Sequence, residues 1–241
     1  MTIVELYNEL RDALRKEIKR NTLSGRNVSV KCRTLSATEA IGKPEDEDYP
    51  IVKGKEKLVE AVFEGMRGQA FTDEFENANY SVEDLLEIEL DSNKKRASFI
   101  SSLNAVFRYL ELCDKTIHCK ESEPKECAKN LLNTIAPSSK VFFVGFQPRF
   151  LEILAPNYTV RAVDLDRENI GREVLGVVIE PPEMTVEAMT WCDLILATGS
   201  TVVNGTITDF LNQNKPVLFY GVTISAPAKI LSLNTYCHCG H

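Results

Sequence analysis

At 241 residues, with 44% apolar and 26% charged residues, the chain has an ordinary globular composition and room for one large domain or two small ones. A net charge of −7, with no basic cluster interleaved with aromatics, argues against nucleic acid as a partner, and no apolar run approaches the ~20 residues of a membrane span. Seven cysteines without disulfide-framework spacing, and a charged amphipathic start unlike a signal peptide, point to reduced thiols and a cytoplasmic protein.

Ile3, Leu6, Tyr7, Leu10, Leu14 and Ile18 recur at helical spacing and predict a helix over 2–20, ended by Ser24-Gly25. Val28, Val30 and Cys32 alternate with polar residues as in a half-buried strand. An acidic loop over 40–48 and a short strand at 49–52 come next. Residues 55–66, KEKLVEAVFEGM, return to helical period through Leu58, Val59, Val62 and Phe63, and Gly68 to Asp73 reads as a small polar link between helices. Ser81 with Asp84 has the form of a capping box. Asp91 or Ser92 caps a helix over roughly 93–111 with the stripe Phe99, Ile100, Leu103, Val106, Phe107 and Leu110. Asn104 falls inside that stripe, where an amide must find partners: the backbone of a neighbouring loop, or a ligand. A helix from Pro124 to Ile135 closes this α+β part, and Pro137-Ser-Ser139 marks the boundary between a unit at 1–136 and a second at 137–241.

The second unit opens with the apolar run Val141 to Val144, Gly145, a helix begun by Pro148, and a strand from Tyr158 to Val163 that ends in Asp164 and Asp166. A short strand at Val177 to Ile179, a helical turn at Thr185 to Met189, and strands at Leu194 to Ala197 and Val217 to Tyr220, each followed by a helix, continue the alternation. The fold class is α/β, with a Rossmann-like parallel sheet in the C-terminal domain.

In such sheets ligands bind beyond the carboxyl ends of the strands, here Gly145, Asp164, Thr198, Gly199, Ser200 and Gly221. The hydroxyl- and glycine-rich loop from Thr198 to Thr206 is the best candidate for contact with an anion, although a plainly capped helix start uses the same residue types. Asp164 lies 19 residues after Gly145, a separation suited to a ribose hydroxyl, whereas Asp166 would point to the other face. The glycines of a dinucleotide fingerprint are replaced by Gln147 and Phe150, which argues against NAD. Asp73 and Glu39, with Asp164 and Asp166, are the general-base candidates, Glu39 more simply read as exposed.

His118, Cys119 and Cys127, and the tail Tyr236-Cys-His-Cys-Gly-His241, place all three histidines beside or within two residues of a cysteine. These are soft-metal donor types. Adjacent His118 and Cys119 would diverge on a strand, and the tail reads more plainly as a mobile end. Cys32, Cys113 and Cys192 fit buried small hydrophobes.

GQAFTD (68–73), SLNAVFRYL (102–110), TIHCKESEPKECA (116–128) and the run VGFQPRF, VDLD, LATGSTVVNGT together resemble the DUF364 family with its companion DUF4213 N-terminal domain. The resemblance implies an N-terminal domain like that of enolase, a Rossmann-like domain after it, heavy-metal chelation, and a ligand site in the cleft between them. Thr72, Asp73 and Asn104 would face that cleft from the first domain, and Gly145, Asp164, Thr198, Gly199, Ser200 and Asn204 from the second. Two functions are expected. One is a metal-binding protein, its transition metal ion held by His118, Cys119, Cys237, His238 and Cys239 or carried in as a small-molecule chelate. The other is an enzyme or sensor that holds a nucleotide-like or anionic small molecule at the strand ends. The sequence names no reaction, and it leaves homo-oligomer formation open.

Overall fold

The computed structural model of the protein describes residues 1–25, 33–36 and 56–241. The strands expected at 28–32 and 49–52, the loop at 40–48, Cys32 and Glu39 lie outside the described residues.

Helix α1 (Ile3–Arg20) opens on a Thr2–Glu5 capping box and buries Leu6, Tyr7, Leu10, Leu14 and Ile18, the periodic residues of the sequence. Strands β1 (Arg33–Leu35), β2 (Lys57–Phe63) and β3 (Met66–Thr72) form an antiparallel sheet in the order 1-2-3. The helix expected over 55–66 is therefore a strand, and Gly68 to Thr72 is its partner rather than a link. The physical reason is the turn. Glu64 and Gly65 both have positive φ, 46° and 82°, the two-residue hairpin geometry that matches strand twist. Because β2 is buried on both faces it lacks alternation, and its residues 58, 59, 62 and 63 mimic a helical period. Its buried Glu60 accepts from Gln69 Nε2 at 2.8 Å and lies 3.6 Å from Arg67 Nη1.

Helix α2 (Val82–Glu87) starts on the expected Ser81–Asp84 box. Helix α3 (Asn93–Tyr109) is buried without interruption from Ala97 to Phe107, because one side lies on β3 and another on the C-terminal half. Gly68 permits the first contact: a Cβ there would sit 2.2 Å from Ala105 N and 2.3 Å from Ser101 O. Asn104 secures the second. Its Nδ2 reaches Gln69 O (3.0 Å), Thr223 O (3.2 Å) and Val222 O (3.3 Å), and its Oδ1 accepts from Ala226 N at 2.8 Å. Of the two readings of Asn104, the backbone partner is the one the fold uses, and it joins both halves.

Helix α4 (Glu123–Leu131) leads into β4 (Lys140–Val144), α5 (Pro148–Leu154), β5 (Thr159–Val163), β6 (Glu173–Val174), β7 (Val177–Glu180), α6 (Thr185–Trp191), β8 (Leu194–Thr198), α7 (Thr201–Asn204), β9 (Val217–Tyr220), α8 (Ser225–Leu231) and β10 (Thr235–Tyr236). The seven-stranded sheet runs β10-β9-β8-β4-β5-β7-β6, parallel except for β6. Numbered from β4, the parallel strands take the doubly wound order 3-2-1-4-5-6, which reverses between β4 and β8. Val141 and Phe143 face a core with α4 and α5; Phe142 and Val144 face a core continuous with α1 and α3. Residues 237–241 return to the N-terminal half. His241 and Ile117 exchange backbone hydrogen bonds (2.9 and 2.8 Å), and Arg108 Nη1 donates to His241 O at 2.6 Å. The tail is fixed, not mobile as expected. Among the described residues no helix is long and apolar enough to cross a membrane.

Candidate functional site

A cavity of about 1130 Å³ opens beyond the carboxyl ends of β4, β5, β8 and β9, where the strand order reverses, and extends to the end of β3 and the segment around His118. Thr72, Asp73, Gly145, Asp164, Thr198, Ser200, Asn204 and Gly221 line it, together with His118, Cys119 and Cys237. Asn104 and Gly199 do not. Asn104 is buried in the joint described above, and Gly199 packs on Ile224, whose N and Cβ would both lie 2.9 Å from an added Cβ.

The strand-end side is built from groups that satisfy one another. Gly145 has φ 88°, and a Cβ there would meet Thr198 Cγ2 at 2.7 Å, so the β4 and β8 ends approach only because it is glycine. Asp164 accepts from Phe146 N (2.6 Å) and Asp166 N (2.8 Å) and from Asn169 Nδ2 (3.2 Å). It thereby fixes the turns after both β4 and β5. That turn brings Asp166 to the same cavity, contrary to its expected outward direction. Tyr220 Oη donates to Gly145 O at 2.8 Å, and burial, with Asp164 nearby, holds its phenol far above the usual range. In the loop after β8, Ser200 N donates to Thr198 Oγ1 (3.3 Å), Val202 N to Gly199 O (3.2 Å) and Val203 N to Ser200 O (2.9 Å). These amides serve the start of a four-residue helix, the plain alternative to anion contact. Asp73 accepts from Asn93 Nδ2 at 2.7 Å. Partly buried Glu56 also lines this side, its carboxyl pushed up to about 7 by burial first and then by Asp164 and Asp166.

The other wall carries sulfur and imidazole. His118, Cys119, Cys127 and Cys237 line it. His118 and Cys119 do not diverge, because the chain there is irregular rather than a strand, and Cys119 Sγ lies 4.0 Å from His118 Nε2. His118 Nδ1 is buried with no hydrogen-bond partner, while the ring packs edge-on against Phe71 at 5.1 Å. Burial pushes His118 down to about 4, against smaller pulls from the Cys119 backbone and Glu123, so the ring is neutral near pH 7. Burial, then Cys127, Cys237 and Cys239, pushes the Cys119 thiol far up; Cys237 is pushed up to about 12, also mainly by burial. With the Cys119 and Cys237 thiols held protonated and the His118 ring neutral, a soft cation bound by these thiols displaces their protons.

His238 and Cys239 stand apart from the cavity. Their donor atoms lie with Glu126 in a group within 4.8 Å of one another. The metal-type residues thus divide between two places. Glu56, Glu126 and Tyr220 carried no sequence signal as site residues; for Cys127 the signal was its place eight residues after Cys119 and on the inner face of a short helix.

The segment 130–232 matches the model of the family DUF364, described as "Putative heavy-metal chelation". The chain is similar in fold to a solved protein of unknown function from the DUF364 family of Pyrococcus horikoshii, with 15% identity, 90% of this chain and 79% of that one covered, and a TM-score of 0.53. It is similar likewise to a DUF364-family protein of unknown function from Desulfitobacterium hafniense DCB-2, at 12% identity, 90% and 82% coverage and a TM-score of 0.53. No curated protein matches the chain.

Proposed function

We propose that the protein binds a transition metal as a small-molecule chelate in the cavity between its two halves. One observation carries this reading: a single cavity of small-molecule size is lined both by carboxylates (Asp73, Asp166, Glu56) and by a thiol–imidazole set (His118, Cys119, Cys237) whose His118 Nδ1 is buried and unpartnered. Imidazole and thiol meet the metal, and hydroxyl and carboxylate groups meet the organic part. The family description of residues 130–232 supports the same chemistry. On this reading residues 1–136 are the DUF4213-type, enolase-N-terminal-like partner of a Rossmann-like unit at 137–241. A nucleotide-like ligand is less well supported: Asp164, the ribose candidate, has both oxygens engaged by the protein's own amides.

The test is calorimetric titration of untagged protein with Ni²⁺, Co²⁺ and their citrate and histidine chelates, and the same titration of His118→Ala and Cys119→Ser. Saturable binding of a chelate, lost in both variants, is the expected result. Chelate binding that is absent throughout, or that survives both substitutions, overturns the proposal.

A further inference from the structure

We propose that Glu126, Cys127, His238 and Cys239 form a second, separate site for one soft divalent cation of the Zn²⁺ or Cd²⁺ type, on the outer side of the wall that bears the cavity thiols. It does not depend on what the cavity holds.

The donors come in two adjacent pairs, from helix α4 and from the tail. The ligand atoms of Glu126, His238 and Cys239 all lie within 4.8 Å of one another. Cys127, next to Glu126 on helix α4, lies outside that group and would have to turn toward it to supply the fourth donor. Two sulfurs, an imidazole and a carboxylate are a tetrahedral set for a d¹⁰ ion. Metal–ligand distances of about 2.0–2.3 Å put tetrahedral donors roughly 3.3–3.8 Å apart, so Glu126, His238 and Cys239 close on an ion through small side-chain rotations, and Cys127 joins them by a larger one.

Both segments are held in place without an ion. Tyr236 sits in β10 paired with β9, and its Oη donates to Cys127 O, tying the start of the tail to helix α4. At the other end Lys115 Nζ donates to Gly240 O at 2.9 Å and His241 pairs with Ile117. His241 Nε2 meets Glu123 Oε1 at 3.0 Å, a second link from the tail to helix α4. His238 and Cys239 are therefore presented on a short bridge pinned at both ends, over residues fixed in a helix. Glu126 and His238 are exposed, so an ion enters from solvent, and Cys127, which also lines the cavity, is the point where the two sites touch.

Equilibrium dialysis of the untagged full chain against Zn²⁺ and Cd²⁺, and the absorption spectrum after Co²⁺ loading, test the site. One ion per chain is expected, with thiolate-to-cobalt charge transfer and the intense visible bands of tetrahedral cobalt. Residues behind a metal ligand already cost about 10–100-fold in affinity, so losing a ligand in His238→Ala or Cys239→Ser should cost at least about 100-fold. Cys119→Ser should keep the ion. His238 is exposed and Cys239 only half-buried, so both variants should fold, which melting of the metal-free proteins checks. Unchanged affinity in Cys239→Ser, a cobalt spectrum without sulfur ligation, or loss of the ion in Cys119→Ser but not in Cys239→Ser overturns the proposal. Failure of chelate binding in the cavity, measured separately, would leave it standing.

Discussion

The two sides of the cavity solve opposite problems. At the strand ends, among the described residues, the main polar groups bond within the protein: Asp164 accepts three hydrogen bonds, Tyr220 caps the Gly145 carbonyl, and the loop after β8 folds its amides back on itself. On the opposite wall His118 keeps a buried nitrogen unpaired, and the protonated Cys119 thiol lies 4.0 Å from its other nitrogen. The first side is a scaffold whose bonding capacity goes into its own shape. The second retains bonding capacity, at a cost to the fold, and that is the side to which a ligand brings something new.

The largest way to break this contrast is at Asp164. Asp164→Ala leaves two backbone amides and one side-chain amide without an acceptor, and should cost about 3 kcal/mol of stability in urea denaturation. Asp164→Asn, which keeps an acceptor oxygen, should recover about half of that loss. If Asp164→Ala left stability unchanged and abolished ligand binding instead, the strand-end side would be the reactive one. Tyr220→Phe is the milder version. It removes one hydroxyl donor from the Gly145 carbonyl and should cost about 1 kcal/mol by the same measurement.

The scaffold side was legible because its signals are local. Apolar runs of strand length, glycines at their ends and acids after the second strand all lie within about 30 residues, the span of one βαβ unit. The hairpin Lys57–Thr72 was not, since helix-forming Lys, Glu, Leu and Ala fill a strand buried on both faces. The Glu64-Gly65 turn was the overlooked cue. The sulfur wall was half legible. His118-Cys119 and Cys237-His238-Cys239 stand out as residue types, but only the third dimension separates Cys237, on the cavity, from His238 and Cys239, which meet Glu126 more than 100 positions earlier.

Glu56 sharpens the comparison through pH. Its carboxyl titrates near 7 in the fold and in the ordinary carboxylate range in the unfolded chain. Between those values the folded state binds the extra proton, so this group favours folding below the window, and its contribution is lost as pH rises through it. Glu56→Gln should flatten that part of the stability–pH curve. A wild-type curve that rises over the same interval with no change in the variant would show that Glu56 does not sit against Asp164 and Asp166 in solution.

His118→Phe gives the smallest expected effect and the most discriminating one. Phenylalanine is a flat ring somewhat larger than imidazole; it can keep the edge-on contact with Phe71 and removes the buried nitrogen that lacks a partner. Deleting an unsatisfied group in favour of an apolar one is neutral or stabilising, so melting should show a gain of at most about 1 kcal/mol. Metal-chelate binding should vanish in the same protein. A variant that is no less stable yet cannot bind separates the two walls cleanly, because the scaffold substitutions above must do the reverse: they weaken the fold and alter binding only in proportion to that loss. Were His118→Phe and the smaller His118→Leu both to destabilise the protein by more than about 1 kcal/mol, overpacking by the larger ring would not account for it, the imidazole would be making a hydrogen bond in solution, and the sulfur wall would then hold the fold together in the same way as the rim around Asp164.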